Sequence, residues 1–495
     1  MTFMDRDRTR ERLSTEEFDL VVMGAGVIGA RIAFEAAHAG AKVALIDARD
    51  FGSATSSASS KLIHGGLRYL QMYDFGLVHE AHQERAKLLD RIAPHLVKRL
   101  DFVIPVFKGG PHNVPMIAGA MLTYAALSGF RHSRSRMVGL KGAQRLIPAL
   151  QGNGFRAAGV YEDAQTHDSR IVLATVQAAA QAGAAVINHL PVTELEITSG
   201  RVTGVRCDGL RIGAQQVINA TGPWVDRIRL LEDPDAQPMA RLSKGVHLVL
   251  DAPQEPWHAA LTTPLPGGRV TFAVPWEGML LLGTTDTEYL GDPAALAVTP
   301  DDVDTILAEA ATGLPAELLA RERIRYTFAG LRVLPKSDGT TSGAKREEVV
   351  RTGPAGMVSV AGGKLTTHRQ IALKVLRHLP DFSQLGITDE PLPGQGQLPE
   401  RPVEVEPRIW DHLTHLYGDR AAHVASLGLE PIHPDGPDIW GQVHQARSEE
   451  WALKVEDVIR RRTTLQIRGL ATDDVRRRIA ATLSAEPVLQ SVDGP

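Results

Sequence analysis

The sequence of 495 residues contains one cysteine, Cys207. A single cysteine excludes an internal disulfide framework and any zinc or iron–sulfur site built from several cysteines, and it fits a reducing compartment. A surplus of positive charge is also missing, because 54 lysine and arginine residues stand against 58 aspartate and glutamate residues, for a formal net charge of -4. This balance argues against a nucleic-acid partner. The length predicts about two to four domains.

Metal-ligand spacing is absent from the sequence as well. His79, His82, His95, His412 and His415 have no paired carboxylates at the spacing of a metal site. We therefore predict surface positions for these histidines and no bound metal.

Long apolar runs are also missing. Residues 1–17 are rich in charge and lack the apolar stretch of a signal peptide, so we predict a charged, flexible arm and no export. The most apolar helical segment, Met116 to Gly129, is shorter than the ~20 residues that cross a bilayer. We predict no membrane-spanning segment.

The region around that apolar segment reverses the overall charge. No acidic residue lies between Asp101 and Glu162. The same region carries Lys108, Arg131, Arg134, Arg136, Lys141, Arg145 and Arg156. With the apolar residues from Met116 to Phe130, these cations would suit the surface of an anionic membrane. A core helix followed by a solvated basic loop explains the pattern equally well.

A nucleotide-binding pattern follows the arm. Residues 18–23 form an apolar strand pattern that leads into Gly24-Ala-Gly26-Val-Ile-Gly29, a helical pattern follows at 30–39, and a second strand pattern at 42–46 ends at Asp47. In this context the helix N-terminus can hold a pyrophosphate, and the carboxylate of Asp47 can accept from ribose hydroxyls. A plain strand-to-helix turn is the alternative. The pattern predicts dinucleotide binding without separating nicotinamide from flavin.

Later segments point to a flavin and to further domains. Asn219-Ala-Thr-Gly222 ends a strand in small residues, and Gly362-Gly-Lys364 is predicted to open a helix whose positive end faces the flavin. Between Leu242 and Gly283 alternating strands predict an antiparallel sheet. After a proline- and glycine-rich linker at 391–396, the chain is predicted to be helical.

Several motifs identify a family. The run Thr55-Ser-Ser-Ala-Ser-Ser-Lys61-Leu-Ile-His64-Gly-Gly-Leu-Arg68-Tyr69 closely resembles the flavin-linked, respiratory glycerol-3-phosphate dehydrogenases. The resemblance continues through residues 163–168, 219–224, 244–247, 283–289, 330–332 and 362–367, and it reaches 453–463 in the tail. The first run is specific to this family, whereas many flavoproteins share the glycine pattern.

The resemblance implies a fold and its division. The expected class is mixed α/β: a glutathione-reductase-like, Rossmann-type FAD domain interleaved with an antiparallel substrate domain, plus a C-terminal helical cap. The FAD domain is assigned to 18–75, 157–225 and 347–392, the substrate lobe to 76–156 and 226–346, and the helical domain to 397–495.

The resemblance also implies an activity. We expect oxidation of sn-glycerol 3-phosphate to dihydroxyacetone phosphate by hydride transfer to FAD, with electrons passing to a membrane quinone. The respiratory role favours a cytoplasmic protein held peripherally at an anionic membrane, and a homodimer is left open. A glycerol-3-phosphate oxidase that uses oxygen and a non-catalytic flavin-binding redox sensor remain alternatives.

The resemblance assigns the site residues. Those expected to act in catalysis are His247, Arg332 and Lys364. Those expected to bind substrate are Arg68, Tyr69, Arg332 and Arg346. Those expected to bind the cofactor are Gly24, Gly26, Gly29, Asp47, Thr55, Ser56, Ser57, Ser60, Lys61, Leu62, His64, Gly65, Gly66, Ala220, Thr221, Gly222, Gly363, Lys364, Leu365 and Thr366. A phosphate dianion needs a fixed guanidinium, and a reacting hydroxyl needs a base, which agrees with these residue types.

Overall fold

The computed structural model describes residues 5–67, 74–129, 134–265, 269–336 and 348–485. These residues form two β-sheets with helices packed against them, followed by a helical C-terminal region. The expected mixed α/β class is confirmed.

The first sheet has a parallel centre. Its strands, among the described residues, are β1 (Glu17–Met23), β2 (Val43–Ile46), β7 (Ala185–Ile187), β8 (Glu194–Thr198), β9 (Arg201–Cys207), β10 (Leu210–Asn219), β17 (Glu348–Thr352) and β18 (Val358–Gly362). The main order is β17-β18-β10-β1-β2-β7, and the strands from β18 to β7 run parallel. All four residues of β2 are buried, which is why its sequence is an unbroken apolar run.

Helices pack on one face of this sheet. They are α2 (Val27–His38), α6 (Asp168–Gln181) and α9 (His368–Leu376). Leu20 and Val22 of β1 belong to the core beneath these helices, whereas Val21 and Met23 belong to a separate core on the opposite face. The alternation of side chains along β1 therefore supplies both cores.

The N-terminal segment differs from the predicted flexible arm, because residues Arg6–Thr15 form helix α1. The Asp5 side chain caps it by accepting from the Arg8 backbone N–H at 3.0 Å. Leu13 is fully buried in the core shared with Phe18. Arg6 donates to the Asn188 carbonyl at 2.8 Å. These tertiary contacts fix α1 against the rest of the protein, although the charge of the segment alone had predicted a solvated, flexible chain.

The second sheet is antiparallel except where β12 meets β4. Its strands, within the described ranges, are β3 (Leu62–Ile63), β4 (Val97–Phe107), β5 (Arg136–Val138), β6 (Phe155–Thr166), β11 (Ala240–Leu250), β12 (Ala259–Pro264), β13 (Val270–Trp276), β14 (Met279–Gly283), β15 (Thr287–Tyr289) and β16 (Ile324–Pro335). The main order is β15-β11-β14-β13-β12-β4-β6-β3, with β16 on β11 and β5 on β6. The antiparallel strands predicted between 242 and 283 are present.

Two segments assigned to the FAD domain pair within this second sheet. β3 pairs with β6, and β6 pairs with β4 along its length. Residues 157–166 therefore lie in the antiparallel sheet. The middle of β6 is buried on both faces, so its sequence lacks the alternation that distinguishes an antiparallel strand. The remaining domain boundaries stay predictions.

Further helices flank the sheets. They are α3 (Phe75–Lys87), α4 (Val114–Leu127), α5 (Leu140–Leu146), α7 (Val225–Glu232) and α8 (Pro300–Ala310). Ile117 and Met121 of α4 pack in one core with strand residues, including Tyr161 of β6. Within the part of the chain that the structure describes, no helix combines the length and the apolar character that crossing a membrane requires.

The C-terminal region is helical, as expected. Its helices are α10 (Pro407–Tyr417), α11 (Ala421–Ser426), α12 (Trp440–Glu449), α13 (Val455–Asp457) and α14 (Asp473–Ser484). Buried ion pairs fasten it to the sheets: Arg461 and Arg462 bind Asp50, and Arg170 lies 2.8 Å from Glu450.

The predicted surface positions of the histidines are wrong for His82, His95, His412 and His415, which are buried. His412 and His415 lie on the inner side of α10, near Glu277 from a distant part of the chain. Spacing along the sequence does not reveal that Glu277 lies beside these two histidines.

Candidate functional site

A cavity of about 660 Å³ is lined by residues of both sheets. The first sheet contributes the loops after β1, β2, β10 and β18. These are the carboxyl ends of parallel strands, where ligands bind in open α/β sheets. The second sheet contributes parts of β11 and β16. The volume is within the usual range for a cofactor site.

The glycine turn forms one wall. Gly24 has a φ of +95°, and a Cβ there would lie 2.6 Å from the carbonyl oxygen of Ala220. Gly26 is the N-cap of α2, and only Ser56 Oγ, at 3.1 Å, would be close to a Cβ on it. Gly29 does not line the cavity, and it lets α2 pack closely on the turn, since a Cβ there would collide with the Gly24 carbonyl oxygen. The turn therefore exposes the N-terminus of α2 to the cavity, where backbone N–H groups favour phosphate.

Asp47 follows β2 and faces the same turn. Its Oδ2 accepts from the Ala25 N–H at 2.7 Å, and its Oδ1 accepts from the Arg49 N–H at 2.8 Å. Burial raises the pKa of Asp47 to about 6, although these hydrogen bonds oppose the shift. The carboxylate is therefore a fixed acceptor beside the phosphate-binding turn.

The serine-rich segment joins the two sheets. Ser56 Oγ accepts from the Val27 N–H at 3.0 Å, and Thr55 Oγ1 donates to the Leu331 carbonyl of β16 at 2.7 Å. Lys61 does not line the cavity, and its Nζ lies 2.7 Å from Asp168 Oδ1 in a buried ion pair. Lys61 thus holds the segment in place.

A second loop pair closes the cavity. The His64 N–H donates to Thr366 Oγ1 at 3.1 Å, which in turn donates to the His64 carbonyl at 3.2 Å. Lys364 lines the cavity but does not begin a helix as predicted, because α9 starts at His368. Gly362 and Gly363 have φ values of +89° and +94°, which an α-helix does not allow.

His247 and Arg332 line the cavity on the second sheet. His247 Nε2 lies 2.9 Å from Ser60 Oγ, and its ring stacks on Phe328 with 4.9 Å between centres. Burial, with the charges of Arg332 and Lys61, lowers the pKa of His247 to about 3. The imidazole is therefore neutral at physiological pH.

Arg332 is held by hydroxyl groups. Its Nη2 donates to Thr284 Oγ1 at 2.8 Å, and its Nη1 lies 3.8 Å from Asp286 Oδ1. A Cβ on Gly245 would lie 2.5 Å from that Nη2, so the guanidinium can lie across β11 only because residue 245 has no side chain. Arg332 is thus a fixed cation at the cavity wall.

The structure brings most of the predicted residues together. The predicted residues that line the cavity are Gly24, Gly26, Asp47, Thr55, Ser56, Ser60, Leu62, His64, Ala220, Thr221, Gly222, His247, Arg332, Gly363, Lys364, Leu365 and Thr366. The lining does not include Gly29, Ser57, Lys61, Gly65 and Gly66. Arg68, Tyr69 and Arg346 lie outside the described residues.

Other lining residues were missed by the sequence reasoning. The Arg49 guanidinium carbon lies 4.8 Å from the centre of the Trp224 ring, and Arg227 lines the cavity nearby. Gly330 approaches the serine-rich segment, since a Cβ there would lie 2.5 Å from the Ala58 carbonyl oxygen. Both have a signal in the sequence, since Arg49 lies two residues after Asp47 and Trp224 ends the motif at 219–224.

These features fit FAD. The N-terminus of α2 is open at Gly26, where a Cβ would meet only a serine hydroxyl. A carboxylate stands at the end of β2, and an arginine stacks on a tryptophan in the same lining. Backbone donors for phosphate, an acceptor for ribose and a flat side chain are the groups that a dinucleotide needs.

Comparison with protein families gives two matches. Residues 19–369 match the family described as FAD dependent oxidoreductase. Residues 360–488 match the C-terminal domain of alpha-glycerophosphate oxidase.

Individual relatives agree along most of the chain. A glycerol-3-phosphate dehydrogenase of Synechocystis sp. is 34% identical, with 94% of this chain and 92% of that protein aligned. One from Mycobacterium leprae is 35% identical over 93% of this chain and 84% of that protein. The solved structure of the glycerol-3-phosphate dehydrogenase from Bacillus halodurans, complexed with FAD, has a TM-score of 0.75 at 25% identity and covers 97% of both chains. The L-alpha-glycerophosphate oxidase from Mycoplasma pneumoniae shares the fold, with a TM-score of 0.60 at 18% identity over 77% of this chain and 100% of that one.

Proposed function

Because the chain belongs to the FAD-dependent glycerol-3-phosphate dehydrogenases, we propose that it oxidises sn-glycerol 3-phosphate to dihydroxyacetone phosphate and passes the electrons to a membrane quinone. One observation carries the proposal: the glycine turn and the side chains of His247, Arg332 and Lys364 line one cavity. A cofactor held at the turn and a small anionic substrate held at the cations would then be neighbours.

The reaction divides its tasks between cofactor and protein. FAD, when bound, supplies the acceptor for the hydride that leaves C2 of the substrate. The protein must hold the phosphate, take the proton of the C2 hydroxyl and steady the charge that develops on its oxygen.

His247 is the proposed base. Its low pKa keeps the imidazole neutral, so it can accept a proton. A phosphate dianion in the same cavity would oppose the charge of Arg332 and make the ring more basic when substrate is present. The hydrogen bond to Ser60 and the stacking on Phe328 hold the ring in one orientation.

Arg332 and Lys364 are the proposed cations. A planar guanidinium can bind two phosphate oxygens at once. Arg332 suits this task because hydroxyl groups fix it, and the nearby Asp286 neutralises only part of its charge. Lys364 would stabilise negative charge beside the flavin. Arg68, Tyr69 and Arg346 stay in the proposal through the family motif alone.

Helix α4 is the proposed contact with the membrane. Its outward residues Pro115, Met116, Gly119, Leu122 and Ala126 are exposed, and none of them is charged. Met116 is 47% and Leu122 is 65% exposed. A surface helix normally presents charge to water, so this apolar stripe supports docking to lipid.

The basic residues near α4 contribute less charge than their number suggests. Arg136 pairs with Asp101 at 2.9 Å, so part of the positive charge is already neutralised. We therefore propose that apolar contact carries more of the membrane binding than the cations do.

Anaerobic mixing tests the proposed activity. Glycerol 3-phosphate should bleach the flavin absorbance of the purified protein, whereas glycerol should do so far more slowly. His247→Asn should keep its flavin and bleach more slowly, and His423→Asn, at an exposed position on α11, is the matched control. Failure of the wild-type flavin to bleach would refute the activity and leave the redox-sensor alternative.

An oxidase that uses oxygen is the second candidate. The match of residues 360–488 to the C-terminal domain of alpha-glycerophosphate oxidase favours it. Reoxidation of the reduced protein separates the two acceptors. A soluble quinone analogue should reoxidise the flavin faster than air-saturated buffer does, and the reverse order would replace the quinone with oxygen.

A further inference from the structure

A second cluster of ionisable side chains lies where the sheets meet the C-terminal helices. It consists of His167, Glu277, His412 and His415, and none of them lines the cavity. His167 lies between β6 and α6, and Glu277 lies in the turn between β13 and β14. His412 and His415 are three residues apart on α10, so they share one face of that helix.

The donor atoms of this cluster converge. His167 Nε2 lies 3.1 Å and His415 Nδ1 lies 2.8 Å from Glu277 Oε1. These three atoms lie within 4.8 Å of one another, and His412 Nδ1 lies 3.6 Å from Glu277 Oε2. Ligands at about 2.0–2.2 Å from a tetrahedral zinc ion are separated by about 3.4 Å. His167, Glu277 and His415 are therefore already close to the spacing of one ion, and a movement of the His412 ring toward them would add its Nδ1 as the fourth donor.

Two buried histidine nitrogens contact Glu277 without a well-aligned hydrogen bond. His167 is 4% and His412 is 5% exposed. Like His415 Nε2, His167 Nε2 and His412 Nδ1 lack a well-aligned hydrogen bond among the described residues, and they lie 3.1 Å and 3.6 Å from the Glu277 carboxylate. A shared metal ion would satisfy both nitrogens at once.

The surroundings resemble an outer coordination shell. His412 Nε2 lies 3.0 Å from Asp438 Oδ1, and Asp438 also accepts from the Thr464 N–H at 3.0 Å and its hydroxyl at 2.7 Å. A carboxylate that accepts from one ring nitrogen leaves the other nitrogen free to bind a metal. Arg468 Nη2 lies 3.4 Å from Glu277 Oε2, which leaves Oε1 as the metal-binding oxygen.

We propose that His167, Glu277, His412 and His415 bind one zinc ion. Four protein ligands without an open position are typical of a structural zinc site. Two ligands come from the body formed by the sheets and two from α10, so the ion would fasten the C-terminal helices to that body. The prediction of no metal rested on spacing along the chain. Spacing does not show that His167, Glu277 and the two histidines of α10 come together from three separate segments.

Metal analysis of the full-length protein tests the site. After incubation with zinc sulfate and gel filtration, the wild type should retain one zinc per chain. His412→Gln and His167→Gln should each lose the zinc and keep FAD. His189→Gln is the matched control, because the carboxylates of its cluster, Asp50 and Asp457, are already occupied by arginines. This control should retain the zinc.

Thermal unfolding gives a second readout. A zinc chelator should lower the melting temperature of the wild type and should not change that of His412→Gln. Cobalt in place of zinc should add visible absorption bands to the wild type that the variant lacks. A wild type with no more zinc than either variant, or a melting temperature that the chelator leaves unchanged, would overturn the proposal and leave a hydrogen-bonded network.

Discussion

Replacing Arg332 with alanine should reduce kcat/KM for glycerol 3-phosphate far more than for glycerol. The side chain lies 3.8 Å from Asp286 and donates to Thr284, so its position does not depend on a bound phosphate. Truncating one partner of a buried charge pair costs about 2–5 kcal/mol. At about 1.36 kcal/mol for each factor of ten, this loss is about 30-fold to about 5,000-fold in kcat/KM.

The assay compares two substrates and two controls. Steady-state rates with a soluble quinone analogue are measured for glycerol 3-phosphate and for glycerol, after the flavin content is matched by absorbance. Arg325→Ala changes an exposed arginine on the same strand, paired with Asp251, and should leave both rates unchanged. Arg332→Lys keeps the charge without the planar fork and should recover part of the loss.

The phosphate interaction has a specific signature. In Arg332→Ala the rate with glycerol 3-phosphate should fall far more than the rate with glycerol. An equal loss for glycerol, or a loss of less than about tenfold with FAD retained, would refute the assignment of Arg332 to the phosphate.

Three further predictions concern the cofactor and the membrane. Gly26→Val should give folded, colourless protein. The fold should survive because a Cβ at residue 26 meets only Ser56 Oγ at 3.1 Å, whereas the branched side chain would occupy the pyrophosphate position. Circular dichroism checks the fold and absorbance checks the flavin, and bound flavin in this variant would contradict the prediction. The pKa of Asp47 is about 6, so its carboxylate is charged above that pH. The affinity for FAD should therefore fall as the pH drops below about 6. Flavin fluorescence should show this fall in the wild type and not in Asp47→Asn. The double variant Met116→Ser, Leu122→Ser should bind anionic vesicles more weakly than the wild type in a co-sedimentation assay. The control Leu398→Ser, at a position 55% exposed, should bind as the wild type does. Equal binding of the double variant and the control would exclude α4 as the membrane contact.

The parts of the fold that the sequence predicted are local ones. The strand, glycine turn, helix and second strand up to Asp47 are determined by neighbours in the chain, and the structure has them as β1, α2 and β2. The helix predicted to open at Gly362-Gly-Lys364 was placed wrongly. The positive φ angles of Gly362 and Gly363 keep these two residues out of a helix, and α9 begins only at His368.

The parts that the sequence could not predict depend on contacts between distant residues. Gly245 is one example, since its lack of a side chain makes room for Arg332 from a different strand. Glu277 is another, because its neighbours His167 and His415 lie far away in the chain. The role of Lys61 was also beyond reach, since its partner Asp168 begins a helix in another segment.

The order in which the chain is made has a consequence for the cavity. Its first wall, at Gly24, is synthesised early. The hydrogen bonds between His64 and Thr366, which close the cavity, join residues that lie 302 positions apart in the chain. More than two thirds of the chain must therefore be synthesised before the pocket can close. We expect FAD loading to be a late event that waits for the synthesis of β18 and of the loop that follows it. Nascent chains stalled before β18 should not retain the flavin, whereas released full-length chains should.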